Sequence, residues 1–530
     1  MPRPALLLPG FLLGLASALW WSSCTDDAPD DPLRVRTAAG VVAGFRDGGV
    51  RRHLGVPFAA PPVGDLRWRP PQPHPTWDSA RAAKAFAHAP MSHNVWGDMR
   101  YRSPGFSEDC LYPNIWSPDA DADTLRPVLV YFYGGGFVAG DASETRYDGA
   151  ALAREGLVVV APNYRLNVFG FLAHPGLSAE ADYGGSGNYG LLDQVAALEW
   201  VRDNIEAFGG DPTRVTIAGE SAGSWSVSAH CGSPLSQDLF AAAIGQSGGA
   251  VTPFTHAATL AEAEQQGLAT AAALADPVDV GPPNASIEAL RQLPADTLYA
   301  RYRRAGLPLA RILVDGYFWT RTLEEAYAAG EVARVPLLVG WTSAEGGDGR
   351  DLLEEDDPGA AFAKTVRERF PDEAEAVLAA YAHDGSDEGL ARAAADYRAD
   401  QFIVQGAWLW SRLHAEVTGA PVYRYSFAQD RPGGEGYGAP HASDIPYATG
   451  SLDVHADYPY GDAHHATARA MMRYVANFVK RGHPNGGGLP AWPPTDGSAA
   501  PPEMVFDGGA TLRRASDARH VALRGLTLDD

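Results

Sequence analysis

The sequence predicts an α/β fold, with a large, mostly parallel central sheet flanked by helices and an antiparallel hairpin at its N-terminal end. Three observations carry that expectation. Residues 128–132, 157–161 and 215–218 are nearly unbroken apolar runs, the composition of strands buried on both faces of a parallel sheet. Between the second and third runs, Leu191, Val195, Leu198, Val201 and Ile205 recur at helical spacing, and strand, helix, strand in series makes a right-handed crossover. The third run leads directly into Gly219-Glu220-Ser221-Ala222-Gly223 and then a helical stretch. In such a turn, small residues on either side of the serine let the strand and helix backbones approach closely.

The remaining elements follow in order. Residues 33–73 alternate β-branched residues with glycine turns, as an antiparallel hairpin or meander does. Residues 57–68 hold three prolines, which lack ladder donors, so this stretch is expected to be a rigid surface connection. Further core strands are expected at 242–247, 335–340 and 422–427, and Ala-rich helical insertions at about 257–303 and 359–417. Asn284-Ala285-Ser286 has the form of a glycosylation acceptor, but a cap for the helix starting at Ile287 is the favoured reading. The acidic run 354–357 reads as a solvated loop and 463–480 as a late helix. The glycine- and proline-rich stretch up to Pro502 reads as irregular surface.

The chain has 530 residues, a length that by itself suggests roughly two to four domains. No repeat or composition break divides it, so residues 33–530 are expected to form a single catalytic domain. The formal charge is 42 − 65 = −23, which disfavours nucleic acid and anionic membranes as partners by long-range repulsion. At the N-terminus, Arg3, the apolar run 5–15 and Ala16-Ser17-Ala18 fit a signal peptide over residues 1–18 and export to the periplasm or the exterior. Residues 19–32 then form a mobile leader. The apolar run is too short and too interrupted for a transmembrane span. Cys24 offers the alternative of lipoprotein cleavage and a lipid anchor, but Trp21 stands where such a motif prefers a Leu-like residue. With only Cys24, Cys110 and Cys231 present, the exported chain has at most one internal pair and no disulfide framework.

A serine on such a turn needs a base, and the base an orienting acid, in the chain order Ser, then Asp or Glu, then His. Among the fifteen histidines, His441 lies on a loop after a late core strand. His464 and His465 instead open a helix. Glu345 follows the strand at 335–340, with Asp348 as its rival. Backbone N–H groups for a developing oxyanion are offered by the glycines of Tyr133-Gly134-Gly135-Gly136-Phe137, directly after the first buried strand. Trp96, Phe137, Trp225, Phe318, Trp319 and Trp341 are the aromatic candidates for a substrate pocket.

These stretches together resemble the type-B carboxylesterase family, the cholinesterase-like α/β hydrolases. The resemblance rests on Gly55-Val56-Pro57-Phe58-Ala59, Ser107-Glu108-Asp109-Cys110-Leu111-Tyr112, the triple glycine, Asn163-Tyr164-Arg165-Leu166, Gly187-Asn188-Tyr189-Gly190, Phe208-Gly209-Gly210-Asp211-Pro212, the serine pentapeptide, Glu345-Gly346 and His441. It implies an α/β-hydrolase fold and a serine carboxylic-ester hydrolase acting on small-molecule esters through an acyl-enzyme, without metal or organic cofactor. By the same resemblance Ser221 is the nucleophile, Glu345 the acid and His441 the base. The N–H groups of Gly135, Gly136 and Ala222 line the oxyanion hole, and Glu220 and Asp444 support the histidine. Amidase, lipase or thioesterase activity on the same triad, and a catalytically silent binding protein, are the alternatives. Both usual family bridges lose a cysteine here, the partner region of Cys110 reading Ala89-Pro90-Met91-Ser92 and a second position reading Ala289. A Cys110–Cys231 bond is left open.

Overall fold

The computed structural model describes residues 33–119, 124–251, 257–275, 286–308, 312–353, 357–434 and 438–524. The expected signal peptide, the leader with Cys24, Asn284 and the acidic residues 354–356 lie outside them. The apolar runs pair side by side in an eleven-stranded sheet. In chain order its strands are Phe45–Asp47 (β1), Val50–His53 (β2), Pro113–Pro118 (β3), Arg126–Phe132 (β4), Val158–Pro162 (β5), Gly210–Glu220 (β6), Ala242–Gln246 (β7), Leu337–Thr342 (β8), Val422–Phe427 (β9), Pro502–Phe506 (β10) and Ala510–Arg514 (β11).

Across the sheet the order is β11-β10-β9-β8-β7-β6-β4-β5-β3-β2-β1. Neighbours from β10 to β5 are parallel, and antiparallel strands finish both edges. The expected hairpin at the N-terminal end is therefore an edge of the main sheet. Val128, Val130, Val158 and Val160 are fully buried, as strands covered on both faces require. The helix Tyr189–Asn204 (α1) crosses from β5 to β6, and Ala222–Cys231 (α2) follows β6. The expected helical insertions contain Leu260–Leu274 (α3) and Gln405–Thr418 (α4), and the late helix is Asp462–Arg481 (α5). Ser286 does cap the helix it precedes, its Oγ accepting from the Ala289 N–H at 3.3 Å.

One expectation changes. The connection at 57–68 reaches the surface only at 63–65: Phe58 and Trp68 are buried, and the Trp68 indole donates to the Val168 carbonyl at 2.8 Å. Arg67 there pairs with Glu108 at 2.6 Å and donates to the carbonyls of Leu290 and Leu293. Proline stops ladder pairing but not burial. The stretch after the proline-rich surface region pairs as the β10–β11 hairpin, with Pro502 at the strand's first position, where a missing N–H is tolerated. Cys110 and Cys231 are both buried and free, which closes the question of a bond between them.

Candidate active site

β6 ends at Glu220 and α2 begins at Ala222, so Ser221 alone makes the turn, at φ 55° and ψ −121°. That backbone conformation is strained for a residue with a side chain and persists only where its surroundings over-determine it. Here they do. A Cβ on Gly223 would lie 2.0 Å from the Phe132 carbonyl oxygen, and one on Gly219 would lie 2.5 Å from the Gly223 carbonyl. The Ser221 N–H donates to the Gln246 carbonyl of neighbouring β7, and its own carbonyl accepts from the Trp225 N–H, both at 2.9 Å. The turn is pinned to two elements, and the serine is left partly exposed.

The loops after β8 and β9 meet beside it. The Ala344 N–H donates to the Ala439 carbonyl and the Ala439 N–H to Ser343 Oγ, each at 2.9 Å. This pairing brings His441 Nδ1 to 2.5 Å from Glu345 Oε2. Glu345 is fully buried, and its other oxygen accepts from the Thr342 N–H at 3.0 Å. Glu220 Oε1 lies 3.1 Å from His441 Nε2, so the imidazole has a carboxylate at each nitrogen. Asp444 stands further off, accepting from Tyr425 Oη at 2.6 Å and Gln246 Nε2 at 3.0 Å. Asp348, the rival acid, is turned to Arg350 instead.

Burial alone would lower the imidazole, but the charges of Glu345 and Glu220 raise His441 to about 9. Burial would likewise raise Glu345, yet the His441 charge and its hydrogen bonds hold it below the usual carboxylate range. Glu220, enclosed and close to Asp444, is pushed up to about 8 by burial first and that charge second, against the pull of His441. Burial raises Asp444 as well.

The glycine loop after β4 lies against the serine. A Cβ on Gly134 would sit 2.6 Å from the Glu220 carbonyl oxygen and 3.0 Å from Ser221 Cβ. Gly135 has φ 110° and Gly136 φ 62°, conformations open to glycine. Among the described residues no acceptor is paired with the N–H of Gly135, Gly136 or Ala222. Three free donors beside a serine and a hydrogen-bonded histidine are equipped for acyl transfer.

The aromatic candidates divide. Trp96 is 44% exposed, and its ring lies 3.8 Å from the place a Cβ on Gly136 would occupy. Trp225 is partly exposed one turn after Ser221, against Gly248. The other four are held by other contacts. Trp319 is buried with its indole on the Ala229 carbonyl at 3.0 Å, and Phe318 is buried against His230, at the far end of α2 from the serine. Phe137 is buried against Phe171, its carbonyl accepting from the Asn167 N–H. Trp341 faces Arg424 and His520. Large aromatics fill cores more often than they line pockets, and the sequence does not distinguish the two. Conversely, Phe402 was not marked by any pattern. Its ring centre is 4.9 Å from that of His441 at 74°, within a π-helical turn Asp400–Val404 that interrupts an Ala-rich helical stretch.

The carboxylesterase family profile matches residues 31–521. The chain belongs to the carboxylesterase family. Among its relatives, the fumonisin B1 esterase of Sphingopyxis macrogoltabida is 39% identical, covering 88% of this chain and 85% of that protein. The human cocaine esterase is 34% identical, covering 84% and 82%. Among solved structures, carboxylesterase EST55 of Geobacillus stearothermophilus superposes with a TM-score of 0.77 at 31% identity, over 93% of this chain and 99% of that one. A PNB esterase does so at 0.76 and 28%, over 93% and 100%. The α/β-hydrolase fold and carboxylic ester hydrolysis follow from this membership. No helix among the described residues is long and apolar enough to cross a membrane.

Proposed function

We propose that this enzyme hydrolyses small-molecule carboxylic esters with Ser221 as nucleophile, His441 as general base and Glu345 as its orienting acid, through an acyl-enzyme. The observation that supports this most directly is the 2.5 Å contact of His441 Nδ1 with a buried Glu345. It keeps the proton on Nδ1 and leaves the Nε2 lone pair to act as base.

In the first half-reaction, Nε2 takes the Ser221 hydroxyl proton as Oγ bonds to the ester carbonyl carbon. The carbonyl oxygen becomes an oxyanion that accepts from the N–H groups of Gly135, Gly136 and Ala222. Collapse breaks the carbon–oxygen bond to the alcohol, which leaves with the proton from Nε2. Water then bonds to the acyl carbon, giving its proton to Nε2, and the carboxylic acid departs as Ser221 recovers its proton. Glu220, beside Nε2, offsets the imidazolium charge in both halves, and Asp444 holds Gln246 and Tyr425 around it. The scheme draws on no metal or organic cofactor. Residues 33–530 form the catalytic domain, and the sequence of residues 1–18 supports export.

Ser221→Ala should lower kcat on p-nitrophenyl acetate by at least about 10³-fold. An organophosphonate probe should label the wild-type chain on the peptide carrying Ser221 and leave the variant unlabelled. Turnover at the wild-type rate in the variant refutes the assignment.

A further inference from the structure

We propose that Phe402 is a positioning residue for His441, holding the imidazole at the tilt its proton transfers require; the inference rests on the catalytic assignment above. Glu345 holds Nδ1 of His441 by a hydrogen bond, and Glu220 lies 3.1 Å from Nε2. Neither prevents the ring from tilting about the line between those nitrogens. A group packed across the ring does. Phe402 is nearly perpendicular to the imidazole at 4.9 Å and 74°, an arrangement aromatic pairs favour.

The mount of Phe402 is firmer than its exposure of 46% suggests. It belongs to the π-helical turn Asp400–Val404, between the helices Asp387–Ala399 and α4. Such turns displace side chains from helical register and recur at functional sites. Asp400 is fully buried, accepts from Tyr381 Oη at 2.9 Å and pairs with Arg519 at 2.8 Å. Ile403 and Val404 pack with Trp341 of β8. The same segment abuts the acid loop, since a Cβ on Gly346, next to Glu345, would lie 3.0 Å from the Arg398 carbonyl oxygen. The turn and the helix that leads into it thus touch the flanks of both acid and base, while an aromatic that merely filled the core would be enclosed.

The test compares wild type, S221A, F402A, F402L and F402Y on p-nitrophenyl acetate, with a thermal midpoint for each. Loss of the ring in F402A and F402L should lower kcat about three- to tenfold and leave KM within about twofold. F402Y, which keeps the ring, should stay within about twofold of wild type. All three midpoints should stay close to that of wild type, because the side chain is half exposed. F402L is the arbiter if F402A does not fold. Unchanged kcat in F402L, a rise in KM alone, or an F402Y as slow as F402L overturns the proposal. Activity in S221A would instead defeat the triad, so the two failures are distinguishable.

Discussion

His441 lies between two carboxylates, and in the proposed mechanism that decides the pH at which it can serve as a base. A general base must be neutral, and charges that raise an imidazole to about 9 postpone its neutral form to higher pH. Glu220, itself pushed to about 8, shares a proton with it over this range, so the acid limb of kcat/KM belongs to the pair. That limb should therefore lie above the ordinary histidine range, with activity rising as pH rises. Glu220→Gln removes one of the two charges that raise the imidazole. Its limb should move down by about one pH unit, while kcat at the plateau falls because the imidazolium loses a counter-charge. A pH series of kcat/KM on p-nitrophenyl acetate reads both effects, and a limb that stays in place argues against Glu220 as the neighbour that matters.

At the scale of elements, the turn between β6 and α2 depends on how closely two backbones pass. Gly223→Ala places a carbon where the Phe132 carbonyl already stands, at 2.0 Å. The strand and helix must separate, at about 2–3 kcal/mol, and kcat should drop at least about tenfold as Ser221 moves from its place. Urea unfolding and steady-state kinetics measure the two losses. This element was legible in the sequence because close approach leaves a mark: glycine at both flanks of a serine after an apolar run. The parallel strands were legible for a similar reason, since burial on both faces removes polar residues from β4, β5 and β6. β3 was not read as a strand, because Pro113 and Pro118 close its ends and its antiparallel pairing to β5 is a long-range fact. Phe318 and Trp319 stand among the pocket candidates because an aromatic letter carries no direction, and only their contacts with Ala229 and His230 show that they lie at the far end of α2. Phe402 left no trace, since a π-helical turn shifts register without changing composition.

Across the whole molecule, ion pairs, buried at Arg424 and partly exposed at Arg519, tie the end of the described chain to the sheet and to the helical insertion. Arg424 of β9 pairs with Glu503 at 2.9 Å and Asp517 at 2.7 Å. Arg519 pairs with Asp400 at 2.8 Å and Asp396 at 2.7 Å. Removing one partner of a buried pair strands the other, so Arg519→Ala should cost about 3 kcal/mol at pH 8. The cost depends on pH in a definite direction. Burial has raised Asp400 to about 6 despite Arg519, and without the arginine its neutral form gains further. As pH falls toward 5 the carboxyl protonates and no bare charge is left inside. The gap between the wild-type and variant thermal midpoints should therefore narrow from pH 8 to pH 5, and a gap that widens instead assigns the loss to something other than Asp400. The Arg519–Asp400 contact spans 119 positions, and this sets an order of events during synthesis. A ribosome delivers the serine, the acid and the base well before residue 519. A growing chain therefore exposes all three proposed catalytic side chains while the turn beside the histidine still lacks its anchor. Competence to hydrolyse esters awaits a contact made after all three have emerged, so chains halted short of it are expected to be poor catalysts rather than premature ones.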